Sequence, residues 1–172
     1  DCSAAVGSGI YMEVGPDFIV SQNLYANGGV IAGEVVLNSA SNHGATLKIT
    51  GSDEGVTEFK GSVLNNNGII EKGKFTGEVT NNGTITGGEF TGTVINSESG
   101  TIAKGVSITA LEFVVTFDNE GTKTTETIAK GGNLTAPTTQ TKEGYRFGGW
   151  YYDNSGSEAK WDFGTDTVTR AM

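Results

Sequence analysis

Histidine and cysteine occur once each in these 172 residues, proline twice, and arginine only at positions 146 and 170. Each scarcity excludes something. Cys2 alone cannot close an internal disulfide, and because a lipid-anchored cysteine wants a small residue where Asp1 stands, it reads as a plain thiol. His43, in an Asn-His-Gly corner, has no second base for a triad and no company for a His-rich metal site, so it reads as a solvated turn residue. Residues 1–47 hold no Lys or Arg, so an intact signal peptide with its basic n-region is absent from them, although one could have been removed before Asp1. No apolar run approaches the ~20 residues of a spanning helix, which argues against membrane insertion. The 11 basic and 20 acidic residues leave a net charge of −9, spread over both halves of the chain. No basic patch exists to hold nucleic acid or anionic lipid.

Glycine, in contrast, is abundant at 27 residues without a collagen-like triplet, as in proteins with frequent tight turns between short strands. The pattern is clearest from Asn66 to Ile95, where NNGIIEKGKFTGEVT is followed by NNGTITGGEFTGTVI. Gly68 and Gly83, Ile70 and Ile85, Phe75 and Phe90, and Val79 and Val94 are each separated by one copy of the repeat. A fixed period of this size implies stacked units that bury one another's apolar faces. Within each copy Phe, Gly and Val alternate with polar residues, the two-residue period of a half-buried strand. Asn-Asn-Gly and Gly-Gly supply the corners. A parallel β-solenoid of about 15–17 residues per coil satisfies all of this. An antiparallel meander is the rival, since Asn-Gly turns favour hairpins, but it does not require the same residue type at every period.

Toward the N-terminus the repeat fades. Gly33-Glu34-Val35 matches Gly77-Glu78-Val79, and Phe59 to Val63 precedes Phe75 to Val79 by one coil. Ile10 to Val14 and Phe18 to Val20 read as strands without a clear register, and residues 1–26 are a candidate cap. Asn65 to Asn67, Asn81, Asn82 and Asn96 recur at equivalent corners, where their amides can form a ladder along the stack. The sequons at Asn82 and Asn133 are read as chance occurrences.

Near Ala110 the composition changes: nine of the 15 aromatic residues, both Trp included, lie in 111–172, and the repeat is gone. Two domains are expected, a solenoid over 1–110 and a second unit over 111–172, with a core of Phe117, Phe147, Trp150 and Trp161. The VTFD strand, Pro137, Lys142-Glu143-Gly144-Tyr145, Phe147-x-Gly149-Trp150-Tyr151, Trp161-Asp162-Phe163 and Asp166-Thr167-Val168 together resemble the Listeria–Bacteroides repeat, the B-repeat module of internalin-type surface proteins. Two departures stand out: Gln140 replaces a usual proline, and the apolar strand that closes the family's pattern is expected after Met172. The resemblance implies a small β-grasp-like module on a secreted, cell-surface or wall-anchored bacterial protein, with a stalk or adhesive role and no catalysis. The module is expected to pack on the last coil as its cap.

Catalytic chemistry has little support. Glu71, Glu78 and Glu89 fall on outward alternate positions, as a solvated face would place them, and residues 1–110 contain no Arg. Neither Asp53-Glu54 nor Asp118-Asn119-Glu120 has the ligand spacing of a calcium loop. No enzyme activity, cofactor or metal is therefore expected. Aromatic rings that can stack on sugars are the remaining candidates. Strand alternation puts Trp150 and Tyr152 on one face and Tyr151 on the other, the family pattern places Trp150 in the core, and the candidate ligand contacts are Tyr151 and Tyr152. The partners this leaves are a host or bacterial surface protein or a glycan, with edge-to-edge self-association at open strand edges.

Overall fold

The computed structural model describes residues 10–14, 22–25, 28–39, 47–50, 55–138, 141–153 and 156–172, which contain strands and turns but no helix. The N-terminal part is a parallel β-solenoid of about four turns. Its first coil contributes β1 (Ile10–Val14), β2 (Gln22–Tyr25) and β3 (Val30–Ile31), and its second β4 (Val35–Ser39), β5 (Leu47–Thr50) and β6 (Glu58–Phe59). The third holds β7 (Val63–Asn66), β8 (Ile69–Ile70) and β9 (Lys74–Phe75), and the fourth β10 (Val79–Asn81), β11 (Thr84–Ile85) and the start of β12 (Glu89–Asn96). The end of β12, β13 (Thr101–Ile102) and the start of β14 (Ser107–Asn119) begin another coil.

Three parallel ladders result. One runs β1-β4-β7-β10-β12-β14, a second β2-β5-β8-β11-β13, and a third β3-β6-β9-β12-β14, since both ends of β12 pair with β14. Every solenoid pairing is parallel, which removes the meander. The period read from sequence is the rung register: Val63, Val79 and Val94 are successive partners, as are Ile70, Ile85 and Ile102, and Phe59, Phe75 and Phe90. The first described strands already belong to this register, with Ile10 opposite Val35 and Gln22 opposite Leu47. They are coil strands and not a cap. Phe18 to Val20 and the remainder of the cap candidate lie outside the described residues.

The core is a set of columns. Phe59, Phe75 and Phe90 stack with centroids 4.6 Å apart and interplanar angles of 10° and 8°, and all three are fully buried. Beside them run Val35-Val63-Val79-Val94 and Ile49-Ile70-Ile85, also fully buried. Asn65, Asn81 and Asn96 form a fourth column inside the stack. Asn65 Nδ2 donates to Asn81 Oδ1 at 2.8 Å and Asn81 Nδ2 to Asn96 Oδ1 at 2.7 Å, while Asn82 Nδ2 reaches Asn66 Oδ1 at 2.7 Å in a parallel row. A buried amide is tolerable only when so paired. The row begins where Leu37 sits one rung below Asn65, and Asn65 Oδ1 accordingly has no partner among the described residues.

One corner explains a glycine column. A Cβ on Gly77 would lie 2.2 Å from the carbonyl oxygen of Gly61, and one on Gly92 2.1 Å from that of Gly77. Successive coils touch there through backbone alone.

From Ser107 the last solenoid strand continues unbroken as the first strand of the C-terminal unit. β14 pairs antiparallel with β15 (Thr122–Ala129) from Glu112 to Asn119, through a two-residue turn with Glu120 at φ 50° and Gly121 at φ 89°, the backbone of a type I′ hairpin. A short hairpin of β16 (Tyr151–Asp153) and β17 (Glu158–Lys160) comes next. Val168 is clamped by Gly131 and Gly132 at 2.7 and 2.9 Å, and Met172 lies along the open edge of β14, donating to Val114 and accepting from Thr116. A second buried cluster forms here from Phe113, Val115, Leu134, Trp161 and Val168, and Leu111 packs against it as well as against the solenoid core.

Two expectations need correction. Phe147 is 39% exposed and, like the half-buried Trp150, outside this cluster, because residues 141–148 form an exposed loop without strand pairing and Trp150 ends it before the strand begins. The module also leaves the end of the last coil partly open, with Ile102, Val106 and Ile108 only half-buried around a cavity of about 420 Å³. β15 pairs with β14 only from Glu112 onward, so it passes beside that end and does not cover it.

Candidate ligand-contact site

Tyr151 and Tyr152 open β16, and the strand's alternation sends them opposite ways. Tyr152 is half-buried and meets Trp161 edge-on at 5.5 Å and 81°, which joins it to the second core. Tyr151 is 54% exposed. Trp150 is half-buried, with edge contacts to Phe117 at 5.3 Å and to Phe147 at 5.8 Å. Of the two candidate contacts, only Tyr151 offers a ring with most of its surface free.

Sequence reasoning does not single out Tyr145 as a contact, yet at 74% exposure it is the most open aromatic ring among the described residues. Lys142 Nζ lies 5.0 Å from its centroid and 2.6 Å from Glu120 Oε1, so the loop is held to the β14–β15 turn. The alternation of basic and aromatic residues over Tyr145-Arg146-Phe147 is the signal that could have found it. An apolar groove also borders Trp150. It has a volume of about 150 Å³ and is bounded by Thr116 and Phe117 on β14, by Leu134, and by Trp150, Tyr152 and Trp161, with Met172 at one end.

The acids do not converge. Glu71 follows β8, Glu78 precedes β10 and Glu89 opens β12. Glu71 accepts a hydrogen bond from Lys48 Nζ at 2.9 Å; this bond, followed by one from Thr50, holds its carboxyl below the usual value. That is ion-pair chemistry, not a poised acid. Among the described residues no three His, Cys, Asp or Glu side chains come together as metal ligands, and no helix is long and apolar enough to cross a membrane. Cys2, His43, Asp53, Glu54 and Gln140 lie outside the described residues.

Comparison with known proteins adds to this geometry. The family model of the Listeria-Bacteroides repeat domain matches residues 113–172. Over 70 residues the chain is 37% identical to Internalin H of Listeria monocytogenes, which is 41% of this chain and 12% of that protein. Two proteins of Evansella cellulosilytica also match, one named as a Gly-rich membrane protein (44% identity over 63 residues, 36% of this chain and 7% of that one) and one as a membrane protein (41% over 63 residues, 36% and 9%). The chain thus spans only about a tenth of the length of these relatives. No solved structure matches. Residues 113–172 therefore carry the sequence of a Listeria-Bacteroides repeat domain, and the chain sets that repeat directly on the last strand of a parallel β-solenoid.

Proposed function

We propose that this chain is a non-catalytic structural segment of a bacterial cell-surface protein, a stiff spacer that holds a Listeria-Bacteroides repeat away from its point of attachment for adhesion or display. One observation carries the reading: β14 is at once a solenoid strand, paired with β12, and the first strand of the repeat, paired with β15. Two units that share a strand have no linker to bend at. Units 1–110 and 111–172 remain a useful division by composition, but they are mechanically one piece. The repeat itself is read as β-grasp-like, because Met172 bridges in parallel to the strand that also forms the antiparallel hairpin. An extracellular or wall-anchored setting is supported by the likeness to Internalin H and to proteins named as membrane proteins.

Residual dipolar couplings from the two parts test the spacer. One alignment tensor is expected to fit both; separate tensors would mean a hinge and would defeat it. A second reading, glycan recognition, is favoured by the exposed rings of Tyr151 and Tyr145. A glycan array separates the two: binding that is lost in Tyr151→Ala would make the chain a recognition module, and an inert array leaves the spacer.

A further inference from the structure

Between the β14–β15 turn and the loop over 141–148 lies a hollow of about 370 Å³. Asn119, on its rim, stands about 20 Å along β14 from Phe113, the last residue of that strand to pair with β12. The hollow is therefore clear of the solenoid coils. Its aromatic wall is held in place before any ligand arrives. Lys142 to Tyr145 form a β-turn in which Tyr145 N–H donates to Lys142 O at 3.0 Å and Gly144 has φ 80°, as the third position of a type II turn requires. Lys142 Nζ, 2.6 Å from Glu120 Oε1, sits over one face of the Tyr145 ring at 5.0 Å from its centroid. The ring is still 74% exposed, so its other face is open.

Charge sets the class of ligand. Glu120, Lys142 and Arg146 are the ionised residues that line the hollow, one anion against two cations, on a chain of net charge −9. Lys142 is already bonded to Glu120, whereas Arg146 is exposed and has no ion pair or hydrogen bond among the described residues. The uncompensated charge is thus a guanidinium beside an open aromatic face. A purely apolar side chain would desolvate these polar groups without replacing their hydrogen bonds, and the loop has no strand pairing for a peptide to extend. A sugar ring meets both demands, with an apolar C–H face for the aromatic ring and hydroxyls around its edge.

We infer, on the glycan-recognition reading of the exposed rings, that this hollow binds a carboxylated sugar of an acidic oligosaccharide. The sugar stacks on the open face of Tyr145. Its carboxylate accepts two parallel hydrogen bonds from the Arg146 guanidinium, a geometry that a lysine cannot match. Asn119 and Glu120 Oε2, the oxygen that Lys142 leaves, meet its hydroxyls.

The test is a nuclear magnetic resonance titration of the whole isotope-labelled chain with trigalacturonate, sialyllactose and neutral galactotriose. The first two carry the carboxylate on different sugars, and the one that binds more tightly identifies the source. At least one of them is expected to shift the Tyr145 ring and Arg146 side-chain signals and to bind about tenfold or more tighter than galactotriose. Arg146→Gln should erase that margin without changing the weak galactotriose response, and Tyr145→Ala should abolish both. Both side chains are exposed, so the variants should keep the parent's melting temperature. Equal binding of acidic and neutral probes, or an Arg146→Gln variant that binds like the parent, would overturn the carboxylate while leaving glycan recognition in place. Binding that is lost in Tyr151→Ala but kept in Tyr145→Ala would put the sugar elsewhere and overturn the hollow. No shift with any probe at millimolar concentration would overturn the inference and the glycan reading together.

Discussion

Phe75 and Phe90, one repeat apart in sequence, lie with their rings parallel within 8° and their centroids 4.6 Å apart. Each is fully buried, so truncating either leaves a void between two coils. Phe75→Ala and Phe90→Ala are each expected to cost ~3–5 kcal/mol, as large core truncations do, with Phe75 at the higher end because it has a ring on both sides. Urea midpoints with an unchanged slope would check this.

The corner glycines should behave unlike those in open loops. Gly92→Ala puts a methyl group 2.1 Å from a carbonyl oxygen of the coil below, which must part the coils, and a loss of ~1–3 kcal/mol is expected. Gly148→Ala meets nothing nearer than the Tyr151 hydroxyl at 3.8 Å and should stay within about 0.5 kcal/mol. Equal melting temperatures for the two variants would show that the coils are not in backbone contact at that corner.

The asparagine row is expected to be most sensitive at its centre. Asn81→Leu strips a partner from both Asn65 and Asn96, at ~1–3 kcal/mol for each group left unpaired. Asn65→Leu should cost less, because its Oδ1 is already without a partner and Leu37 lies below it. The reverse order in thermal unfolding would contradict a continuous ladder.

These columns were legible in the sequence because identical residues recur at Phe59, Phe75 and Phe90 and at Val63, Val79 and Val94. The coils before them were not: Ile10 pairs with Val35 and Val35 with Val63, across corners much longer than the later ones, and inserted corner residues erase a period without disturbing the rungs. In the second part, strand alternation sent Tyr151 outward and Tyr152 to the second core, as the structure has them, whereas Trp150 precedes the strand and lies outside that core. Phe147 could not be placed that way, since a loop has no alternation to read. The contact of Met172 with β14 joins residues far apart in the chain and leaves no local mark.

Acid should selectively weaken one ion pair. Lys48 and Thr50 lower the pKa of Glu71 below 4.5, so its stabilisation is fully present above that ordinary value and is lost as pH falls through the lower folded value. Both side chains are about one-third exposed, which limits the contribution to about 0.2–1 kcal/mol. Lys48→Met should therefore be less stable than the parent at pH 7, with the gap closing in acid. A gap that persisted unchanged at low pH would assign the effect to the packing of the lysine stem.

The stack itself is tested most directly by nuclear Overhauser effects in a sample protonated only at phenylalanine rings. Coils in parallel register, with Phe59 on Phe75 and Phe75 on Phe90 at 4.6 Å, require strong cross-peaks between the first and second rings and between the second and third, and none between Phe59 and Phe90, which sit two rungs apart. A Phe59–Phe90 cross-peak, or silence between Phe75 and Phe90, would mean that the repeat does not stack and that the solenoid is wrong.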